Sequence, residues 1–222
     1  MSADDKIFAG SIPENYDRHM VPLIFESFAG DIAQRAAALS PKAVLEMAAG
    51  SGVVTRALAP MLSPDARYVA TDLNQPMLDH AAARQGRDDR ISWQKVDAQA
   101  LPFEDAAFDA ATIGFGIRNV DDLDAGLREL ARVVRPGGRL AVLEITRPRG
   151  VLRPFFRLWF DVLIPLAGKV LPGGVAYSYL PASVRRFPGP DDLADALRRA
   201  GFVDVSYRLL AGGIVSLHVG RR

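Results

Sequence analysis

The chain has 222 residues, about half of them hydrophobic, and its 27 lysines and arginines against 26 acids leave a net charge of +1. That is enough for one domain with a sizeable core, and the balance offers no basic field to attract nucleic acid, so no nucleic-acid partner is expected. No cysteine is present, which excludes disulfides, thiolate zinc sites and a cysteine nucleophile and fits a reducing compartment.

The opening "MSADDKIFAGSIPENYDR" (1–18) lacks the long apolar core of a secretory leader, and no later apolar run reaches membrane-spanning length, so a cytoplasmic location is expected. Apolar bursts then alternate with helical patterns. "KAVLEMAA" (42–49) reads as a buried strand and "VVTRALAPML" (53–62) as the helix after it. "ARYVATD" (66–72) is a second strand, followed by the helix "QPMLDHAAAR" (75–84) with Pro76 in its first turn, where a missing N–H matters little. "ISWQKVD" (91–97) and "FDAATIGFG" (108–116) are the third and fourth strands. "DLDAGLRELARVV" (122–134) sets Leu123, Leu127, Leu130, Ala131 and Val134 on one helical face, and "RPGG" (135–138) stops it. "RLAVLEI" (139–145) is a fifth strand. "PDDLADALRRAGF" (190–202) has acids in its first turn, arginines in its last and Gly201 as its stop, as the helix dipole favours. Strands "FVDVSYRLL" (202–210) and "GIVSLHVG" (213–220) close the chain, and the short link at Ala211 and Gly212 forces them antiparallel. His19, His80 and His218 are scattered, so no metal site is expected.

Strand–helix alternation predicts an α/β fold: a doubly wound, Rossmann-like, mostly parallel sheet of seven strands with a C-terminal antiparallel hairpin. Ligands of such sheets bind beyond the carboxyl ends of the strands. Residues 48–52 leave the first strand there, and Gly50 and Gly52 permit backbone angles and close approaches that other residues resist. Asp72 ends the second strand, where a carboxylate can accept both hydroxyls of a ribose. A dinucleotide site would want a third glycine where Thr55 stands, and Glu46 just before the loop would repel a pyrophosphate. An acid there suits a cationic amino-acid portion instead, so S-adenosylmethionine is the expected cofactor, its carboxylate held by Ser51 or Thr55 and backbone N–H groups. Asp97 and Ala98 at the third strand end would take the adenine, the carboxylate accepting from the exocyclic amine. Ala48, Leu73 and Met77 complete the expected lining.

"VLEMAAGSG", "TDLNQPML", "VDAQALPFEDAAFDAA" and "RVVRPGGRLAVLE" together resemble class I S-adenosylmethionine-dependent methyltransferases over residues 44–145. "FGIRNVDDLDAGLRELARVVRPGGRLAVLEITRP", "YSYLPASVRRFP", "AGF" and the ending "GIVSLHVG" are similar to the ubiquinone/menaquinone biosynthesis C-methyltransferases, whereas residues 8–58 look more like general small-molecule methyltransferases, with Glu46 where the quinone enzymes usually show Asp. The resemblance implies a cofactor site of Ser51, Asp72, Asp97, Ala98 and Gly114, the last standing where that family often has serine. It also implies that Arg118 and Asn119 face a substrate ring, Arg118 holding the ring oxygen as an anion and Asn119 orienting the ring or a water. Arg118 paired with a carboxylate such as Asp121, and Asn119 capping the helix near 121, are the structural alternatives. His218, Tyr177 and Tyr179 are candidate bases, although a lone strand histidine is more often simply packed. Tyr16 either closes over the cofactor or packs.

The resemblance further implies an N-terminal helical lid (1–40), a cofactor-binding core (41–146), a substrate-lid insertion (147–188) and a C-terminal helix and hairpin (189–222). Within the insertion, Phe156, Trp159, Phe160 and Leu163 share one helical face and Arg153, Arg157 and Asp161 another. That pattern suits a lid receiving a polyprenyl tail or touching an anionic membrane at its inner face, and equally a core or homodimer helix. The expected activity is methyl transfer to carbon of a reduced quinone or similar aromatic ring. Methylation of oxygen or nitrogen on another small apolar molecule, and a cofactor-binding subunit without catalysis, are the alternatives.

Overall fold

The computed structural model describes residues 26–148 and 183–222. Tyr16, Tyr177, Tyr179 and nearly all of the expected lid insertion lie outside them. Of the expected N-terminal lid, Glu26–Ala37 forms helix α1.

Seven strands make one sheet: β1 (Ala43–Met47), β2 (Arg67–Asp72), β3 (Ile91–Lys95), β4 (Phe108–Gly114), β5 (Val134–Ile145), β6 (Val203–Leu210) and β7 (Val215–Arg221). Their order is β3-β2-β1-β4-β5-β7-β6. Every pairing is parallel except those of β7, which runs antiparallel to both β5 and β6. The hairpin forced by the short link at residue 211 is therefore present, with its second strand inserted beside β5. Strand order reverses between β1 and β4, so their carboxyl ends splay apart into the crevice where such sheets bind ligands.

The connecting helices are α2 (Val53–Leu58), α3 (Gln75–Gln85), α4 (Leu123–Val133) and α5 (Pro190–Arg199). The period-2 alternation of β1 sorts the core. Leu45 and Met47 face the layer of α4 and α5 with Ile113, Leu127, Leu130 and Leu197. Val44 faces the opposite layer with Leu58, Tyr68 and Ala110. Glu46 shares the parity of Val44 and so enters that second layer.

Two expectations change in detail. The helix after β1 lasts only six residues before Pro60 tightens the chain into the 3₁₀ turn Ala59–Met61. The "RPGG" stretch stops α4 but is not a free turn. It is absorbed into β5, whose register against β4 shifts between Phe108 and Ala110. Gly138 must be glycine there, because a Cβ would press on the carbonyls of Arg135 and Asp109.

Candidate functional site

The tip of β1 is shaped by backbone conformation. Ala48, Gly50 and Gly52 all have positive φ, at 52°, 56° and 76°. Gly50 donates its N–H to Asp72 Oδ2 at 2.9 Å, and Asn74 donates its N–H to Oδ1 at 2.9 Å. Each carboxylate oxygen keeps a lone pair for a further donor, such as a ribose hydroxyl. Burial pushes the Asp72 carboxyl above its ordinary value, against the backbone bonds that lower it. Met77, buried in the first turn of α3, brings its methyl to within 3.8 Å of where a Gly50 Cβ would stand, while Leu73 is half exposed. Asn74 caps α3 by accepting from the Met77 N–H at 3.1 Å.

The hydroxyl of Ser51 is the feature that points to a ligand. Ser51 is 3% exposed, yet its Oγ has no hydrogen-bond partner. Buried hydroxyls are normally satisfied. Between two glycines that leave the main chain bare, an orphaned donor fits the carboxylate of an amino-acid portion, so the residues present fit S-adenosylmethionine.

Glu46 and Thr55 behave differently from expectation. Thr55 donates its hydroxyl to Glu46 Oε2 at 2.5 Å, and Tyr68 donates its hydroxyl to the same oxygen at 2.5 Å. The alternation of β1 aims the carboxylate sideways into the layer beneath α2, where the first-turn Thr55 meets it. Glu46 thus supports the loop from below. Burial raises its carboxyl to about 7, opposed by the bonds from Thr55 and Tyr68. Tyr68 is legible in the sequence only as an apolar strand position.

At the tip of β3, the backbone N–H of Gln99 donates to Asp97 Oδ1 at 2.9 Å, and Gln99 Oε1 accepts from the Asp122 N–H at 2.9 Å. Ala98 is half-buried under α4, near Gly126. The segment leading on to β4 is pinned by α4: Glu129 accepts from the Leu101 N–H, and Arg132 donates to the carbonyls of Leu101 and Phe103. Asp72 and Asp97 therefore stand on adjacent strand tips.

The tip of β4 closes the crevice. Gly114 lies against Val54, and Phe115 has φ 58°. Gly116 passes so close to the β1 tip that a Cβ on it would overlap the Cβ of Ala48. Two non-glycine residues in the left-handed region, Ala48 and Phe115, thus flank the switch point, a strain of about 1–3 kcal/mol each that such sites characteristically hold. Gly116 is a site element that the sequence reading misses; the signal is the glycine inside "FGIRN".

Arg118 and Asn119 occupy the 3₁₀ turn Ile117–Asn119. Arg118 is buried and pairs with Glu144 of β5, Nη1 to Oε1 at 2.7 Å, rather than with Asp121. Nη1 also donates to the carbonyl of Phe115. Asn119 is exposed, and the cap of α4 is Asp122, which accepts from the Ala125 N–H at 2.9 Å. A cleft of about 520 Å³ opens beside them; its wall includes Ile117, Leu123 and Phe187 together with the polar and charged Arg118, Asn119, Asp121 and Arg186.

His218, expected as a base, is placed elsewhere. It is fully buried under α5, its Nε2 bonded to the Pro190 carbonyl at 2.8 Å and its ring 4.9 Å from that of Tyr207. Burial holds its pKa below the usual value. The register sets it opposite Val142, two residues back from Glu144 towards the middle of the sheet, and its one hydrogen bond serves the first turn of α5.

The profile of the ubiE/COQ5 methyltransferase family matches residues 5–222, the front of the chain included. The demethylmenaquinone methyltransferase of Thermus thermophilus is 40% identical over 205 residues, 88% of this chain and 92% of that protein. The ubiquinone/menaquinone biosynthesis C-methyltransferase of Brucella anthropi is 40% identical over 181 residues, 79% of this chain and 69% of that protein. Among solved structures, an S-adenosylmethionine-dependent methyltransferase from Aquifex aeolicus superposes with a TM-score of 0.64 at 16% identity, covering 94% of this chain and 97% of that one. Human N-acetylserotonin methyltransferase bound to S-adenosylmethionine gives 0.67 at 17% identity, covering 97% of this chain and 57% of that one. These two likenesses establish the shared fold.

Proposed function

The chain belongs to the ubiE/COQ5 methyltransferase family, and from that membership we propose an S-adenosylmethionine-dependent methyl transfer to a ring carbon of a reduced quinone, of the demethylmenaquinol or ubiquinol-precursor type. The observation that carries this reading is the buried guanidinium of Arg118 beside a cleft of mixed lining, in which Ile117, Leu123 and Phe187 meet Asn119, Asp121 and Arg186. It is a permanent cation at the β4 tip whose Nε–H has no partner.

S-adenosylmethionine supplies the methyl group on a sulfonium. Ser51 and the bare backbone of residues 48–52 hold the amino-acid end, Asp72 the ribose and Asp97 with Ala98 the adenine, with Leu73 and Met77 against the nucleoside. Transfer to carbon needs the acceptor carbon close to the methyl and in line with the breaking bond. That carbon becomes nucleophilic as the neighbouring hydroxyl gives its proton to water; as the new C–C bond forms the S–CH3 bond would break to leave a neutral thioether, and loss of the ring hydrogen to water as a proton restores the aromatic ring. Arg118 donates to this oxygen and favours its anionic form, Asn119 orients the ring, and Ile117, Leu123 and Phe187 present apolar walls to it. Peripheral contact with the membrane that carries such quinols belongs to the same reading, and liposome co-sedimentation at low salt tests it. No described helix is long and apolar enough to cross a membrane.

The deciding experiment incubates the protein with labelled S-adenosylmethionine and a short-tail demethylmenaquinol kept reduced, with mass spectrometry locating the methyl. Label on the ring carbon is expected. Label on oxygen, or none from any of a panel of quinols while the cofactor still binds, overturns the substrate assignment.

A further inference from the structure

Glu144 lies outside the motif that draws attention to Arg118 and has no place in the cofactor or substrate contacts above. It sits near the carboxyl end of β5, a strand flanked by β4 and β7, with its side chain wholly buried. Oε1 accepts from Arg118 Nη1 at 2.7 Å and from the Ile145 N–H at 2.8 Å, and Oε2 faces the Arg118 backbone N–H at 3.3 Å. One carboxylate on a rigid strand therefore grips both the main chain and the head of a residue on a three-residue turn.

The distribution of these bonds matters more than their number. A guanidinium has five N–H donors in a fixed plane, with Nε–H and one Nη2–H side by side on one edge. Glu144 and the Phe115 carbonyl both engage Nη1. Nε is buried with no partner, and Nη2 makes no hydrogen bond among the described residues. A purely structural buried arginine would be expected to spend its donors on the protein, because an orphaned buried donor is unfavourable. Here one end is fastened and the forked edge has no partner among the described residues, the arrangement needed to receive an oxygen.

We propose that Glu144 is a positioning residue for methyl transfer: by fixing Nη1 and the backbone of Arg118 from β5, it presents the Nε–Nη2 edge of the guanidinium to the substrate oxygen. This rests on the substrate-binding role of Arg118 proposed above. Glu144 touches neither substrate nor cofactor; it acts through the orientation of Arg118, and its loss should appear in turnover while the cofactor half is untouched.

The test compares Glu144→Gln and Glu144→Asp with the parent for kcat and KM on a short-tail demethylmenaquinol, for S-adenosylhomocysteine affinity by calorimetry, and in an Arg118→Lys background. Arg118→Lys keeps the charge facing Glu144 and lacks the fork. Both Glu144 variants are expected to lose about 10²-fold in kcat and to bind S-adenosylhomocysteine as the parent does. Adding Glu144→Gln to Arg118→Lys should lower kcat no further. Unchanged kcat, an equal loss of cofactor affinity, or losses that multiply in the double variant overturn the proposal. A nitrogen-edited proton spectrum of the free protein decides without turnover. The Arg118 Nε–H resonance should move to the position of solvent-exposed arginine in Glu144→Gln, and an unmoved resonance overturns the assignment. If the parent methylates no quinol, the proposed substrate falls while the spectrum still judges the positioning. If Glu144→Gln does not fold, Glu144→Asp carries both measurements.

Discussion

The tips of β1 and β5 each bury a glutamate, and the two are satisfied in opposite ways. Glu46, 1% exposed, meets two neutral hydroxyls, from Thr55 and Tyr68, and burial raises its carboxyl to about 7. Glu144, equally buried, meets the full charge of Arg118. The difference follows what each tip must hold. On the cofactor side the loop is shaped by positive-φ backbone and supported from below by a carboxyl whose side-chain partners are two neutral hydroxyls. On the substrate side a cation has to be kept in the interior, and a buried cation needs a carboxylate partner.

The strongest way to break this contrast is to remove one charge. Arg118→Met leaves the Glu144 carboxylate buried without its cation and should destabilise the fold by about 3–5 kcal/mol, while pairing it with Glu144→Gln should restore most of the loss. Urea unfolding at neutral pH measures both. If the single and double variants unfold alike, the pair is not an obligate charge couple and the contrast with Glu46 disappears.

Glu46 should show its difference through pH. A carboxyl raised in the folded state binds its proton more tightly there than in the unfolded chain, so its contribution to stability is complete below its unfolded value of 4.5 and declines as pH rises towards 7. That span corresponds to about 3 kcal/mol. In Glu46→Gln the amide oxygen can still accept from Thr55 and Tyr68 but does not titrate. The variant should therefore match the parent near pH 4 and exceed it at pH 8. Equal stability of the two proteins at pH 8 would show that Glu46 ionises there without penalty.

These two carboxylates also mark where sequence reading succeeds and stops. The alternation of apolar strands and helices foretells the parallel sheet and the hairpin, because burial periodicity is a local property; the switch point follows only from the strand order. Asp72, Asp97 and the glycines of residues 50–52 are legible because strand ends announce themselves by spacing. The direction of a side chain at a strand end is not. Glu46 follows the parity of its strand into the layer under α2, and Tyr68, its partner, comes from a strand 22 residues away. Glu144 reads as part of an apolar run, since only the register of β5 beside the turn at 117 brings it to Arg118. His218 is the converse: a residue that stands out in sequence and that the packing of α5 assigns to the Pro190 carbonyl.

The crossing between the two halves offers a smaller, more local break. In Gly116→Ala the new methyl would overlap Ala48, whose own φ is already positive. Overpacking of this kind costs about 1–3 kcal/mol. Because the contact joins the β1 and β4 tips, the variant should lose S-adenosylhomocysteine affinity and kcat together, unlike Glu144→Gln, which should lose kcat alone. Gly30, in α1, is the control, because a methyl added to it would meet nothing within 4 Å. Gly30→Ala should be neutral or stabilising by about 0.5–1 kcal/mol.

The finest test concerns what each half withholds from its own fold. Ser51 Oγ on the cofactor side and Arg118 Nε on the substrate side are buried donors with no protein partner. A group held back for a ligand has a signature that a packing group lacks: its removal moves stability and affinity in opposite directions. Ser51→Ala deletes an unsatisfied hydroxyl, so the free protein should be as stable as the parent or slightly more so. The same change removes one hydrogen bond to the cofactor carboxylate, worth about 1 kcal/mol or roughly fivefold in affinity. Thermal unfolding with and without S-adenosylhomocysteine measures both quantities at once, because a ligand that binds the folded state raises the transition by an amount set by its affinity. A parallel fall in both would make Ser51 a structural residue of the loop and leave the carboxylate to the backbone N–H groups alone.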